Sequence, residues 1–216
     1  MIFSESRSVI GRLFFVYLSK SCNKVLFLNV LLSNRFYHLE NTITAPEVDI
    51  IEQCIAGNSK AQYELYRRYA SAMLNVAYRI LKNEEEAKDV LQDSFIKIFK
   101  ELKNLKNKQG LAAWIKRIVV NTTINHAKKK GVKLVELNYQ EPKSEEKSDA
   151  FENMDLEINR IKSALMQLPD GYRTVLTLYL IDGYDHEEIS QILNISKSTS
   201  LTQYSRGKKR LKELLK

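Results

Sequence analysis

From Val48 onward, apolar residues recur at three- and four-residue steps, the period of helices that bury one face. Asp49–Ala56 reads as a short amphipathic helix closed by Gly57. Asn58 or Ser59 can cap the next helix, whose predicted core face holds Tyr63, Leu65, Tyr66, Tyr69, Met73, Leu74, Ala77 and Leu81. Such an aromatic stripe could stack bases, but its spacing favours core packing. Asn83 and Glu84-Glu85-Glu86 open a third helix, where negative charge meets the positive helix end. Its apolar face is Val90, Leu91, Phe95, Ile98, Phe99 and Leu102, and Asp89, Gln92, Asp93, Lys97 and Lys100 lie largely off it. A loop rich in Lys and Asn, Lys103–Gly110, precedes a fourth helix whose apolar residues are Leu111, Trp114, Ile115, Ile118, Val119 and Ile124.

The periodicity stops between Gly131 and about Asp155, a charged stretch with Pro142 that reads as a flexible, acidic linker. It resumes in a helix over Leu156–Leu168, a Pro169-Asp170-Gly171 turn and a helix over Tyr172–Ile181. Two more helices follow. His186–Leu193 carries apolar Ile189, Ile192 and Leu193, with Asp185 and Glu188 spaced as a capping box. Ser198–Leu215 carries Leu201, Tyr204, Leu211, Leu214 and Leu215. Between them, Asn194 can take the left-handed conformation and Ser196 can cap. A short helix, a tight turn and a longer helix rich in Ser, Thr, Gln and Arg is the layout of a DNA-reading helix-turn-helix. Many helical hairpins look alike, so the pattern alone leaves an ordinary hairpin open.

The predicted fold is therefore all-α, with two small helical domains joined by a flexible acidic linker and a helix-turn-helix in the second. The bounds are 46–131, 132–155 and 156–216. Residues 1–45 differ from the rest. Their apolar runs, Leu13–Leu18 and Val25–Leu32, are interrupted by Lys20 and Lys24, and a membrane span needs roughly 20 consecutive apolar residues. The basic start with apolar segments faintly resembles a signal peptide but lacks one compact apolar stretch. The segment reads as an extension that fits no element. A chain beginning near Thr44 is expected to keep full activity.

Composition narrows the partners. Seven Gly and three Pro among 216 residues, with abundant Leu, Ile, Lys and Glu, favour helix over sheet. A formal net charge of +8 makes polyanions the first partner to consider. Cys22 and Cys54 form no ligand spacing or disulfide framework, which fits a reducing cytoplasm. His38, His126 and His186 are scattered and suggest no metal site. Cofactors and small-molecule substrates are not expected. Neither is an enzyme, since nucleophile elbows, phosphate-cradling glycine loops and catalytic carboxylate pairs are missing from the sequence.

Two faces carry candidate binding chemistry. Asp89, Gln92 and Asp93 could dock on a basic protein, though a solvated helix face is the ordinary explanation. Lys116, Arg117, Asn121 and Asn125, with the Lys128–Lys130 run, supply the cations and amides that phosphates and bases require. A lysine run that only caps its own helix remains an alternative there.

Two separated stretches, Asp89–Phe99 with Ala112–Asn125, and Leu168–Leu211, resemble the two domains of extracytoplasmic-function (ECF) sigma factors of the sigma-70 family. The phrases Leu-Pro-x-Gly-Tyr-Arg-Thr-Val and Asp-Gly-Tyr-x-His-Glu-Glu-Ile resemble its Bacteroidetes-type members. The resemblance covers roughly residues 47–214. It implies a non-catalytic subunit that binds bacterial core RNA polymerase and directs initiation at promoters. Asp89, Gln92, Asp93 and Phe95 match the family's docking pattern, with the polar three facing the polymerase clamp and Phe95 packing beneath. Lys103, Asn104, Lys106, Lys116, Arg117, Asn121 and Asn125 would engage the minus-ten element as it melts. Ser196, Lys197, Ser198, Thr199, Thr202, Gln203, Arg206, Lys208 and Lys209 would read the double-stranded minus-thirty-five element. An anti-sigma factor, usually membrane-bound in this family, is the implied restraining partner. Two departures stand out: relatives usually carry a basic residue where Leu201 and Thr202 follow Ser200, and Gly207 replaces a commoner Ala. A stand-alone helix-turn-helix regulator is the alternative. It would bind symmetric half-sites without polymerase.

Overall fold

A computed structural model describes residues 45–134 and 154–215, and these are helical with no strand among them. The amino-terminal extension and most of the predicted linker lie outside the described residues. The first domain comprises α1 (Ala45–Ile55), α2 (Ser59–Leu81), α3 (Glu84–Glu101) and α4 (Leu111–Lys129). Two single 3₁₀ turns, Leu102–Asn104 and Lys108–Gly110, occupy the predicted loop before α4. The second domain comprises α5 (Met154–Gln167), α6 (Asp170–Leu176), α7 (His186–Leu193) and α8 (Lys197–Leu214). α6 runs on as a π-helical turn over Thr177–Ile181, so the predicted Tyr172–Ile181 helix starts earlier and changes its winding midway. No described helix is long and apolar enough to cross a membrane.

Local chemistry sets the helix ends. The Asn58 side chain accepts from the amides of Lys60 and Ala61, and Asn83 does the same for Glu85 and Glu86. Each cap satisfies amides that the first turn leaves without partners, and contributes about 1 kcal/mol. Behind Asn83, Glu86 reaches across to α4, with His126 Nε2 at 3.0 Å and Lys130 Nζ at 3.2 Å. The Lys130 and His126 contacts hold the Glu86 carboxyl below the usual carboxylate range. Part of the lysine run thus ties α4 to α3.

The buried stripe of α2 is Ala61, Leu65, Tyr69, Ala72, Met73, Val76, Ala77 and Ile80. Tyr63 and Tyr66, expected in the core, are 66% and 39% exposed. At about 100° per residue, Tyr63 lies roughly 200° from both Ala61 and Leu65, on the far side of the helix. Tyr66 sits at the stripe's edge, where its ring meets Phe95 edge-on at 4.8 Å. Trp114 is only half-buried.

The sequence reads as two lobes on a tether, yet in the structure the domains pack together. Ile161, Ala164, Leu165, Leu168, Leu176, Leu180, Ile181 and Leu211 form a core belonging to the second domain alone. Val175, Leu178, Ile189 and Leu193 instead join the buried cluster built from α1 to α4. Polar contacts reinforce the seam. Arg173, 1% exposed, donates from Nε to Arg79 O (2.8 Å) and from Nη2 to Ile80 O (3.0 Å), capping the end of α2. The same guanidinium reaches Leu168 O at 2.9 Å and Asp170 Oδ1 at 2.6 Å.

Gly207 has a packing reason. A Cβ there would stand 3.0 Å from Tyr172 Cβ and 3.2 Å from Leu176 Cδ1. Helix propensity favours alanine by about 1 kcal/mol, but overpacking costs about 1–3 kcal/mol. Because Tyr172 Cβ moves only with its backbone, overpacking dominates. Gly207→Ala is expected to destabilise the protein by about 1 kcal/mol in urea unfolding; a stabilised variant would show that α8 can shift freely.

Candidate nucleic-acid interface

The helix-turn-helix is assembled from short-range hydrogen bonds. Asp185 Oδ1 accepts from the amides of Glu187 and Glu188 at 2.9 Å each, and Asp185 N donates to Glu188 Oε2 at 2.7 Å, completing the capping box. Asn194 closes α7 with φ +59°, its amide bonded to Ser190 O. Ser196 caps α8 by accepting from Thr199 N at 3.0 Å. His186 then pins the two helices together. Its Nδ1 lies 2.9 Å from Ser200 Oγ, and its ring stacks on Tyr179 at 4.5 Å.

Which α8 residues face outward follows from what the helix buries. Ser200, Gln203, Gly207 and Leu211 form its inner stripe. Gln203, expected to contact DNA, is 2% exposed, because it shares the face on which Gly207 meets α6. Leu201, expected in the core, is 47% exposed, about 100° from Ser200 and 200° from Gln203. Lys197, Ser198, Thr202 and Lys209 are exposed as well, while Thr199, Arg206 and Lys208 are half-buried.

In the first domain, Arg117, Asn121 and Asn125 fall at four-residue steps along α4 and so share a stripe. Lys103, Asn104 and Lys106 are exposed in the turns leading into it. Lys116 is half-buried and already engaged: its Nζ donates to Asp182 O at 3.0 Å and lies 6.0 Å from the Tyr184 ring centre. A cleft of about 360 Å³ opens here, lined by Trp114, Lys116 and Arg117 from α4 and by Asp182, Tyr184 and Glu188 from the second domain. Asp182, 3% exposed, pairs with Arg79 at 3.0 Å. Burial pushes its carboxyl above the usual carboxylate range, against the pull of Arg79 and Lys116.

Along α3, Asp89, Gln92 and Asp93 face solvent. Phe95 is 3% exposed beneath them, against Tyr66 and with the Phe99 ring at 5.9 Å. Ile96, which the apolar periodicity did not single out, is 46% exposed on the same side, four residues from Gln92 and three from Asp93. Its signal was negative: an isoleucine outside the three- and four-residue steps of the core. Among the described residues no group of His, Cys, Asp and Glu could hold a metal ion.

A helical domain that exposes Asp89 and Asp93 on one helix and Arg117 and Asn125 on another, followed by a helix-turn-helix domain, has the layout of a DNA-binding protein with surface left over for a protein partner. Comparison with known proteins makes this specific. Residues 65–132 match the family described as Sigma-70 region 2, and residues 158–211 match Sigma-70, region 4. The chain is 35% identical over 130 residues to the RNA polymerase sigma factor SigZ of Bacillus subtilis (strain 168), covering 59% of this chain and 71% of that protein. It is 29% identical over 180 residues to the ECF RNA polymerase sigma factor SigW of the same organism, covering 77% and 95%. The RNA polymerase sigma-H factor of Pseudomonas aeruginosa is 26% identical over 184 residues, covering 77% and 92%. The chain belongs to the sigma-70 family of RNA polymerase sigma factors, in its ECF subfamily. It binds core RNA polymerase and directs promoter-specific initiation of transcription. A stand-alone regulator is thereby set aside.

Proposed function

We propose that the two faces of the first domain divide the work of this sigma factor. Asp89, Gln92 and Asp93, with Ile96 among them, dock on the polymerase clamp. Lys103, Asn104, Lys106, Lys116, Arg117, Asn121 and Asn125 engage the minus-ten element. The outward residues of α8 enter the major groove of the minus-thirty-five element. On this reading 46–131 and 156–216 act as the two gripping domains, and 132–155 joins them. The observation that carries the proposal is where the first domain exposes its polar groups: Asp89, Gln92 and Asp93 together on α3, and Lys103, Asn104, Lys106, Arg117 and Asn125 before and along α4.

Both elements cannot be held by the domains as they now pack. Elements named for positions 25 base pairs apart are separated by roughly 85 Å of straight duplex, at 3.4 Å per pair. Two touching domains of this size span roughly 50 Å. Fully extended, the nineteen residues 135–153 would reach roughly 65 Å, enough to allow the parting. Engaging a promoter therefore separates α6 and α7 from α2 and α4, and frees Lys116 from Asp182. The action belongs to the bacterial cytoplasm, in a Bacteroidetes-type member of the subfamily. The protein that restrains it is an anti-sigma factor.

The test is open-complex formation by core polymerase and the full chain on a promoter mapped after induced expression. Arg117→Ala with Asn121→Ala is expected to reduce permanganate-reactive, melted promoter roughly ten-fold, the scale of one lost base contact. Polymerase binding should be unchanged. Undiminished melting would count against α4 as the minus-ten reader.

A further inference from the structure

The start of α8 looks, in sequence, like a hydroxyl-rich reader of bases: Ser196, Ser198, Thr199, Ser200 and Thr202. In the structure these hydroxyls are used within the motif. Ser196 Oγ lies 2.8 Å from both Ser198 Oγ and Thr199 Oγ1 while it caps Thr199 N. Ser200 is fully buried and bonded to His186. Thr202 Oγ1 donates to Ser198 O at 2.9 Å, so its proton is committed to the helix itself. Gln203, the remaining amide in this part of the helix, is buried. Lys197 stands 3.4 Å from Glu187.

Lys197, Ser198, Thr202 and Ser205 keep their contact with solvent, and the large apolar side chain that faces outward among them is Leu201. Leu201 is 47% exposed, four residues beyond Lys197 and three beyond Ser198, one turn into the helix. That is the part of a recognition helix that reaches base edges, while cations further along, such as Lys208 and Lys209, suit phosphates. In the major groove, the apolar feature on a base edge is the thymine 5-methyl group. Cytosine has hydrogen there, and both purines present hydrogen-bonding atoms that an isobutyl group would strip of water without replacing.

We propose that Leu201 selects a thymine in the minus-thirty-five element through its 5-methyl group. The proposal rests on the assignment of α8 to that element. It makes this position a reader of shape and apolarity where relatives with a basic residue would read hydrogen-bond acceptors.

The experiment removes only the methyl. Core polymerase with the full chain is bound to the mapped promoter in which each thymine of the minus-thirty-five element is replaced in turn by uracil. At one position, binding by the natural protein should weaken roughly four-fold, the worth of one buried methyl. Leu201→Ala should weaken binding to the thymine promoter by at least that factor and should bind the thymine and uracil versions equally. Because Leu201 is exposed, its replacement should leave the thermal unfolding midpoint unchanged. An element with no uracil-sensitive position, or equal sensitivity in both proteins, overturns the proposal while leaving α8 on the DNA. A footprint that leaves the upstream element unprotected overturns the assignment of α8 as well.

Discussion

Replacing Arg173 by methionine is expected to lower the unfolding free energy by about 3–5 kcal/mol, against the 5–15 kcal/mol that is typical of a whole protein. Methionine keeps much of the volume but removes four hydrogen bonds. Arg79 O and Ile80 O end α2, and the last carbonyls of a helix find no partners within it. Arg173 supplies those partners and places a positive charge at the negative end of the helix dipole. Arg173→Lys should fall between, because an ammonium keeps the charge but not the planar fork. Urea unfolding measures both, and small-angle scattering should show a larger radius of gyration for Arg173→Met as the seam loosens. A loss below about 0.5 kcal/mol, the level of an ordinary surface change, would show that the network does not hold the seam.

The second large effect concerns partner binding. Asp89→Arg combined with Asp93→Arg is expected to weaken the affinity for core polymerase by at least about a hundred-fold, since like charges placed against each other at an interface cost several kcal/mol. Both residues are exposed on α3, so helicity by circular dichroism should be unchanged. Fluorescence anisotropy of the labelled full chain titrated with core polymerase would measure it. Unchanged affinity would remove α3 from the clamp interface and leave Ile96 without a partner.

What could be read from the chain was local. Asn58, Asn83, Asp185 with Glu188, Asn194 and Ser196 each act within three or four residues of themselves, and each holds the predicted place at a helix end. Helical periodicity located the cores in outline. It failed at Tyr63, Tyr66 and Leu201, and the resemblance did not foresee the burial of Gln203, because the width and direction of a buried stripe depend on which neighbours pack against it. Gly207 looked like a plain cost in helix propensity until Tyr172 and Leu176 appeared at its α-carbon. Arg173 was legible only as part of a family phrase, since its partners Ile80 O and Arg79 O lie 93 and 94 residues away. The candidate site divides in the same way: exposure of Asp89, Gln92 and Asp93 follows from period alone, whereas the engagement of Lys116 by Asp182 depends on the meeting of two domains.

That engagement has an electrolytic consequence. A lysine that binds a phosphate normally contributes close to one unit to the salt dependence of affinity, because counterions condensed on the DNA are released. Lys116 is held by the Asp182 carbonyl and sits close enough to pull on the Asp182 carboxyl. In the packed state Lys116 has a backbone carbonyl, and Arg79 a carboxyl, as its internal partner. On the proposed reading, a phosphate that takes over Lys116 must replace the Asp182 carbonyl, which is then left to water. The counterions condensed on the DNA leave whichever partner Lys116 had before, so on that reading the contact would keep its unit of salt dependence while giving up part of its affinity.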